Sequence, residues 1–479
     1  MEDKRLFLLL KEPTSNAIFK LTFPIILGMM ARVFYNLIDI FFIGLLNDST
    51  QLAAGTIVQP VFMIMSAMAG IVAAGGASYI SRCLGANNEK NANRVLAIGV
   101  GIYVILGLLT MVLGFTLITP ITYILGASEQ TFPFALDYIS ILLLGTLPIM
   151  GNIILGQLLC SEGSAIITMN GTLLGTIINI ILDPIFILGL GIKGAAFATI
   201  IGHLVALLYY GYCYFSGKTL LKIRIRDFCF DKLIWKEIFI IGIPVSVAQF
   251  AMSIAIIVSN NIAASYSDII LASLGVASKV MTIGTSLLFG FAAGCQPLIG
   301  YSYGAGDYGR VKDVFKKAIV ITTFIGIALT LILGGFSEEI ISVFTNDPTV
   351  IVAGGTVLRA LKWSLPLLGI LLICAVTVQS MGKAIPALII PVSHQGILFI
   401  PVLLIMNNYI GFWGYIYAEA TTDLIMLVIA TIILQNIMTQ EMSEDVSGSL
   451  VKIQRSLNQT EANRLKLLKS RVKSHYFKK

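Results

Sequence analysis

Residues 21–46 read LTFPIILGMMARVFYNLIDIFFIGLL, and this stretch decides the fold because it is long and apolar enough to cross a bilayer. It nevertheless carries Asp39 deep inside. A charged carboxyl at membrane depth costs about 2.5–3.5 kcal/mol on insertion scales, so such an acid usually has a partner or a task. A second acid of this kind, Asp183, lies in the segment NIILDP. We therefore expect Asp39 and Asp183 to share one cation-binding site.

The same apolar character runs through the whole chain. Of its 479 residues, 57% are hydrophobic and only 12% are charged, whereas soluble domains carry about 25% charged residues. A helix needs about 20 apolar residues to span the bilayer. We therefore predict an all-α polytopic membrane protein with twelve transmembrane helices and no soluble domain. The predicted spans are residues 18–46, 52–80, 92–119, 134–158, 165–190, 194–216, 238–265, 270–300, 313–336, 354–380, 384–405 and 411–438.

Several classes of function are excluded by motifs that the sequence lacks. Its six cysteines are scattered, with no CxxC motif and no Cys/His cluster, so we expect neither a disulfide framework nor a zinc site. There is no Walker A motif, HExxH or GxSxG, so we expect neither ATP-driven transport nor an enzyme, and no cofactor. The basic residues lack interleaved aromatics, which argues against a nucleic-acid partner. The N-terminal residues lack the apolar segment of a signal peptide, so we expect the first span to be retained.

The distribution of charge predicts the orientation in the membrane. An even number of spans places both termini on one side. The basic residues cluster in the loops after even-numbered spans, in the linker and in the tail at 452–479, whereas the other loops are acidic and Lys193 is their only clear cation. By the positive-inside rule, both termini lie in the cytoplasm. We expect a multi-pass protein of the plasma or inner cell membrane.

The chain also repeats itself, with an offset of about 220 residues. Pro24 corresponds to Pro244, and Gly194 in GAAFAT corresponds to Gly414 in GYIYAE. Each half holds six predicted spans, so the two lobes share one orientation and are related by a pseudo-twofold axis along the membrane normal. We place the first lobe with the cation site at residues 1–216, a cytoplasmic linker at 217–237, the second lobe at 238–440 and a basic cytoplasmic tail at 441–479.

The polar residues of the first lobe have the spacing of a cation site. Asn36 lies three residues before Asp39, and Asn179 lies four residues before Asp183, so each pair shares one face of its helix. Pro184 removes a backbone donor and leaves carbonyl oxygen free one turn earlier. Carboxylate, amide and carbonyl oxygens suit Na⁺, and one carboxylate could bind a proton instead. The predicted ligands are Asp39, Asn179, Asp183 and, from the sixth helix, Thr199.

The second lobe has no counterpart of these acids. Ser259 occupies the position equivalent to Asp39, and the positions equivalent to Asp183 fall near Val402 and Leu403. The alternative interpretation is that each acid is neutral or pairs with a cation for packing alone. Arg32 is then the obvious partner for Asp39.

Two further groups complete the candidate residues. A central cavity between the lobes, lined by adaptable Met and polar side chains, is predicted at Arg32, Tyr35, Asn36, Gln59, Gln249, Met252 and Met281. Lys279 is predicted to form a buried, structural ion pair with Glu419 and Asp423, which lie one turn apart.

Four segments of the chain resemble one known family. They are YNLIDIFFIG in the first helix, GGASYISRCLGANNEKNANRV after the second, NIILDPIFILGLGIKGAAFAT across the fifth and sixth, and GFAAGCQPLIGYSYGAGDYGRV after the eighth. Together they resemble the MATE (multidrug and toxic compound extrusion) transporters, in particular their MepA-like branch, over residues 15–440. The turn at 159–163, LCSEG, departs from the family pattern because no basic residue precedes Glu162.

The resemblance implies a two-lobe exporter that exchanges Na⁺ or H⁺ inward for amphiphilic, often cationic, drugs outward by alternating access. It carries the family's cation site onto Asp39, Asn179 and Asp183, with Thr199 as a further ligand. We expect a monomer whose partners are small-molecule drugs and the lipid bilayer. Arg32 adds a positive charge near the predicted cavity, which would disfavour a cationic substrate there.

Three alternatives stand beside this interpretation. A lipid-linked saccharide flippase of the same superfamily would carry a more basic cavity than Arg32 and Lys279 supply. An integral membrane enzyme such as an acyltransferase would need a His/Asp or metal constellation at one interface. A passive channel would move one species down its own gradient without exchange.

Overall fold

The computed structural model describes residues 7–440 except 45, 47, 48 and 346, so the predicted basic tail lies outside the described residues. The described chain is mostly helical and contains no strand. Ten continuous helices and two bent pairs are long and apolar enough to cross a membrane, which confirms the prediction of twelve spans. In chain order, α1 to α12 are Thr14–Gly44, Gln59–Gly85, Glu89–Thr116, the pair Phe132–Leu144 and Thr146–Ser161, Ala165–Leu190, Ile192–Phe215, Lys232–Tyr266, Asp268–Gly304, Tyr308–Gly335, the pair Pro348–Leu361 and Ser364–Ser380, Ala384–Ile410, and Phe412–Gln440.

Prolines explain where the observed spans differ from the predicted ones. The second span begins at Gln59 rather than at residue 52, because Pro60 starts a new helix after the short helix Ser49–Ile57. α10 bends by 43° just before Pro366, whose missing N–H leaves the carbonyl of Lys362 without its helical donor. That carbonyl instead accepts a hydrogen bond from Thr330 Oγ1 at 2.9 Å. Further short helices, Ile118–Ile124 and Ser337–Ser342, link α3 to α4 and α9 to α10.

The two halves of the chain repeat the same backbone features. α4 and α10 are the two bent spans, with bends of 53° and 43°. α5 and α11 both end in a glycine in the left-handed region, Gly191 with φ 61° and Gly411 with φ 70°, each with ψ −143°. Only glycine adopts this conformation without strain, so the same residue type recurs at the same turn. The protein is therefore built from two six-helix lobes, as the sequence repeat predicts.

The lobes pack closely through glycines where α2 of the first lobe crosses α7 of the second. A Cβ atom built on Gly75 would lie 1.9 Å from the carbonyl oxygen of Ile238, and one on Gly242 would lie 1.8 Å from that of Ile71. Glycine is needed at both positions because no side chain fits between the backbones. Arg82 also forms an ion pair with Glu237 at 2.8 Å across the same two helices. We call the region from this ion pair to these two glycines the closed end.

The N-terminal segment lies against the second lobe at the closed end. The Arg310 side chain donates a hydrogen bond to the carbonyl oxygen of Glu12 at 2.9 Å. Thr14, at the start of α1, donates to Asp313 on α9, and Lys317 pairs with the same carboxylate at 2.7 Å. Both lobes belong to one compact unit that ends at Ala430, and residues 431–440 continue α12 as helix.

Replacing Gly75 by valine should force α2 and α7 apart, because the new side chain would overlap the Ile238 backbone. Overpacking of this kind costs about 1–3 kcal/mol. We expect a lower apparent midpoint of thermal unfolding for purified Gly75→Val than for the wild type. The control is Gly211→Val, a glycine of α6 with no atom within 4 Å of its built Cβ. Equal midpoints for the two variants would contradict the close interlobe packing.

Candidate functional site

A small pocket lies inside the first lobe between α1, α4, α5 and α6, and we call it the first-lobe pocket. Its volume is about 20 Å³, which admits one water-sized particle, since a single water needs at least about 10–15 Å³. Most of its lining residues carry a polar side chain, although the surrounding helices are apolar. The lining residues are Arg32, Tyr35, Asn152, Thr172, Gly175, Thr176, Asn179, Thr199, Gly202 and His203.

The predicted cation ligands lie in and beside this pocket. Asn179 and Thr199 both line it, from α5 and α6 respectively. Asp183 is fully buried one turn along α5, and its Oδ1 accepts a hydrogen bond from Asn179 Nδ2 at 3.3 Å. Asp39, on α1, is close enough to Asp183 for their charges to interact. The structure thus brings together the residues that the sequence predicted as ligands.

Three oxygen atoms of this group are buried without a hydrogen-bond partner among the described protein atoms. They are Asp39 Oδ1, Asn179 Oδ1 and Asp183 Oδ2. Most buried polar atoms in proteins are satisfied, so each exception calls for an explanation. Oxygen donors from two carboxyls and an amide are the hard ligands that an alkali cation prefers, and either carboxyl can also bind a proton.

Glycines hold the helices that carry these ligands together. A Cβ on Gly175 of α5 would lie 2.6 Å from the carbonyl oxygen of Gly202 on α6, and one on Gly202 would lie 2.7 Å from that of Gly175. The two backbones can therefore approach closely. Asn179 lies one turn after Gly175, and Thr199 lies one turn before Gly202. This contact therefore places Asn179 and Thr199 on facing sides of the pocket.

Apolar side chains pack around the next turn of the same helices. Ile43, four residues after Asp39, and Ile187, four residues after Asp183, form a buried cluster with Ala195. Phe42, Leu46 and Tyr138 pack against this cluster. The carboxyls therefore have an apolar neighbourhood on this side, which strengthens their interaction with any bound cation.

Arg32 does not pair with Asp39 among the described residues, contrary to the alternative that the sequence left open. Its side chain is exposed at the rim of the first-lobe pocket. Its charge acts on Tyr35, His203 and Tyr210. Arg32 therefore supplies a fixed positive charge on the α6 side of the pocket.

Several polar residues of this pocket were not predicted from the sequence. Asn152, in the second half of α4, and His203 on α6 are joined at 2.7 Å through the Asn152 amide nitrogen and His203 Nδ1. Thr172 and Thr176 also line the pocket. The spacing of 172, 176, 179 and 183 along α5 is a polar stripe at helical intervals, and this signal could have identified both threonines. Asn152 has no such signal, because no polar residue lies three or four positions away from it along its helix.

A second and much larger cavity, of about 410 Å³, lies in the second lobe between α7, α8, α10, α11 and α12. We call it the second-lobe cavity. Met252 and Met281, two residues of the predicted central cavity, line it, whereas Arg32 and Tyr35 line the first-lobe pocket. These four residues therefore line two different cavities, one in each lobe, and the cavity between the lobes stays a prediction. Asn36, Gln59 and Gln249 are exposed and line neither of them.

The predicted ion pair of Lys279 with Glu419 and Asp423 is not observed among the described residues. Lys279 is exposed on α8, whereas the acids predicted to pair with it are partly or fully buried. Asp423 is fully buried and bonds instead to His394 Nε2 and to the Ser364 hydroxyl. Glu419 lines the second-lobe cavity. The sequence does not predict the hydrogen bond between Asp423 and His394, because the two residues lie on different spans.

Comparisons with known proteins agree with this architecture. The MatE family model matches residues 24–185 and again 244–405, an offset of 220 that confirms the internal repeat. The multidrug export protein MepA of Staphylococcus haemolyticus (strain JCSC1435) is 30% identical over 441 residues, which cover 91% of this chain and 97% of that protein. MepA of Staphylococcus aureus (strain bovine RF122 / ET3-1) is 29% identical over 454 residues, covering 94% and 100%.

Solved structures are similar over the same range. A MATE structure in complex with MaL6 superposes with a TM-score of 0.88 at 27% identity, covering 92% of this chain and 99% of that one. The outward-facing conformation of a multidrug resistance MATE family transporter gives 0.87 at 26% identity, covering 91% and 98%. A transporter of the MOP superfamily from Pyrococcus furiosus, described by the reverse polarity of its binding pocket, gives 0.87 at 27% identity with the same coverage.

Replacing Asn152 by leucine should leave His203 Nδ1 buried without its partner. A buried polar atom that loses its hydrogen bond costs about 1–3 kcal/mol. We expect Asn152→Leu to lower the apparent midpoint of thermal unfolding, and the double variant Asn152→Leu/His203→Leu to recover part of the loss. Additive losses in the double variant would contradict a direct Asn152–His203 bond.

Proposed function

The chain belongs to the MatE family of membrane transporters, and on that basis we propose that it is a secondary active multidrug exporter. It exchanges Na⁺ or H⁺, moving inward, for amphiphilic and often cationic compounds, moving outward. The MepA relatives are multidrug export proteins, which supports this substrate class. The two-lobe fold, similar to MATE structures over most of the chain, supports the transport of a substrate between lobes.

The observation that carries the coupling proposal is the group of three unpartnered buried oxygens on Asp39, Asn179 and Asp183. Inside a membrane-spanning lobe, burying such atoms without a partner costs free energy, and a bound cation or proton removes that cost. The adjacent pocket admits a particle of the size of one water molecule and no drug. We therefore assign the coupling ion to this site, with Thr199 as a further oxygen donor from α6.

Coupling requires that the ion favours one arrangement of the lobes over the other. α1 is the element that can transmit this preference, because it carries Asp39 at one end and contacts the second lobe at the other. At Thr22, its backbone lies 2.5 Å from a Cβ built on Gly294 of α8. An ion that draws Asp39 towards Asp183 shifts α1 and changes the packing at the closed end. The closed end then opens to load the substrate while the ion leaves.

The site of action follows from topology and family. We propose that the protein works as a monomer in the plasma membrane of a bacterium, with both termini in the cytoplasm as the charge distribution predicts. The closed end then faces the cytoplasm, since it carries the start of α1. The conformation described here is accordingly the one in which the cytoplasmic side is shut.

Removing either buried carboxylate should uncouple transport without unfolding the protein, because the apolar surroundings tolerate a neutral amide of the same shape. We expect Asp39→Asn and Asp183→Asn each to reduce ethidium efflux from expressing cells to the level of cells without the transporter. Membrane yield and gel-filtration profile should match the wild type. Glu129→Gln, which removes an exposed loop carboxylate, should export normally. Normal ethidium efflux from cells expressing either aspartate variant would contradict this mechanism.

The identity of the coupling ion is decided by reconstitution. Purified protein in proteoliposomes should move ethidium against its gradient when an inward Na⁺ gradient or, separately, an inward proton gradient is imposed. One of the two should suffice, because the oxygen donors of one site bind a single ion at a time. The same gradient should fail with Asp183→Asn. Dye movement that never exceeds its own electrochemical gradient would instead indicate a passive channel.

A further inference from the structure

We propose that the second-lobe cavity is the binding site for the exported compound, and that Glu419 is the group that recognises its positive charge. This inference rests on the proposed function as an exporter. It adds a division of labour between the lobes: the inorganic ion binds in the first lobe and the organic cation in the second.

By the internal repeat, the two cavities occupy equivalent positions in the two lobes. Adding the offset of 220 to residue numbers of the first-lobe pocket gives residues of the second-lobe cavity in six of ten cases. Arg32, Tyr35, Gly175, Asn179, Thr199 and Gly202 correspond to Met252, Ala255, Gln395, Phe399, Glu419 and Thr422.

The substitutions between the two sites invert their chemistry. The cation of the first site, Arg32, becomes the neutral Met252, and the neutral Thr199 becomes the acid Glu419. The coupling-site amide, Asn179, becomes Phe399. The second site has therefore lost its fixed positive charge and gained a negative one, together with apolar and aromatic surface. This composition suits an organic cation better than an inorganic ion.

The volumes of the two sites point the same way. The first-lobe pocket, at about 20 Å³, fits a particle the size of one water molecule. The second-lobe cavity, at about 410 Å³, lies within the roughly 300–1,000 Å³ range of small-molecule sites in proteins. Met281, Phe289 and Phe399 supply apolar walls that can pack against an aromatic body.

Glu419 is the carboxylate that is available to a ligand. Asp423, one turn further on α12, is fully buried and already bonded to His394 and Ser364. Glu419 faces the cavity, and among the described residues it makes no hydrogen bond or ion pair. His394 Nδ1 is hydrogen-bonded to Gln395 at 3.1 Å. Both ring nitrogens of His394 therefore already have a hydrogen-bond partner. An unpaired carboxylate in a membrane-spanning lobe costs free energy, and a bound ligand of opposite charge offsets this cost.

The backbone of α11 is altered at the same place. Residues 393–398, SHQGIL, form a π-helical segment, and two of them, His394 and Gln395, line the cavity. Such segments are rare and occur mostly at functional sites. The equivalent stretch of α5 is ordinary α-helix. The two lobes therefore differ in backbone as well as in side chains at this position, and the π-helical segment carries His394, which bonds to Asp423.

The test uses tetraphenylphosphonium, a lipophilic cation, and tetraphenylborate, an anion of the same shape. Binding to full-length protein in lipid nanodiscs is measured by calorimetry against empty nanodiscs. We expect the wild type to prefer the cation, and Glu419→Gln to raise the Kd for the cation at least about tenfold, because charges in a partly buried site attract more strongly than in water. The matched control is Glu339→Gln, an exposed acid of the same lobe, whose Kd should stay within about twofold of the wild type.

A second variant tests the location independently of the charge. Ser278 is exposed on α8 and lines the cavity, so Ser278→Trp should fill it and weaken binding of both probes. An unchanged Kd in Glu419→Gln would overturn the inference, whether or not Ser278→Trp weakens binding. Because equilibrium binding needs no gradient, this outcome is distinct from failure of the exporter proposal, which would appear as normal transport by Asp183→Asn.

Discussion

Inside a bilayer no water is present to satisfy a polar group, and most of this structure follows from that constraint. Every span is helical because a helix satisfies its own backbone. Where Pro366 removes a donor, the Thr330 hydroxyl donates a hydrogen bond to the carbonyl of Lys362. Buried side chains follow the same rule at the Asn152–His203 bond and at Asp423, which bonds to both His394 and Ser364. The carboxyl and amide oxygens of Asp39, Asn179 and Asp183 are the exceptions that stand together.

Close packing of helices at glycine residues is the second feature on which the architecture depends. Between the lobes, Gly75 and Gly242 let α2 and α7 touch backbone to backbone, and within the first lobe Gly175 and Gly202 do the same for α5 and α6. In lipid, association of helices gains little from the hydrophobic effect, so close packing of small residues becomes the main attraction. A contact made of many weak backbone interactions can also separate without breaking one strong bond. That property is compatible with the opening and closing of the interface that we propose for transport.

The two lobes show how one repeated fold acquires two chemistries. Both carry a bent fourth helix, a glycine turn between the fifth and sixth helices, and a cavity among equivalent helices. The acids have moved, however, from the first and fifth helices of one lobe to the sixth helix of the other. The cavity volume has changed with them, from about 20 Å³ to about 410 Å³. The small pocket of the first lobe is lined by Arg32 and no acid, whereas the large cavity of the second lobe is lined by Glu419, so equivalent positions carry opposite charge.

The amino-acid sequence determined the number and order of the spans, the repeat and the positions of the buried acids. It could do so because length, apolarity and helical spacing are local properties. The tertiary structure alone decided that Asn152 bonds to His203, that Lys279 is exposed while His394 bonds to Asp423, and that Arg32 and Met252 line two different cavities. Those outcomes depend on how far each helix is rotated about its axis and how closely it approaches its neighbours. Rotation and approach are set by contacts between residues far apart in the chain, such as Gly175 with Gly202 and Gly75 with Ile238, and no spacing within one helix encodes them.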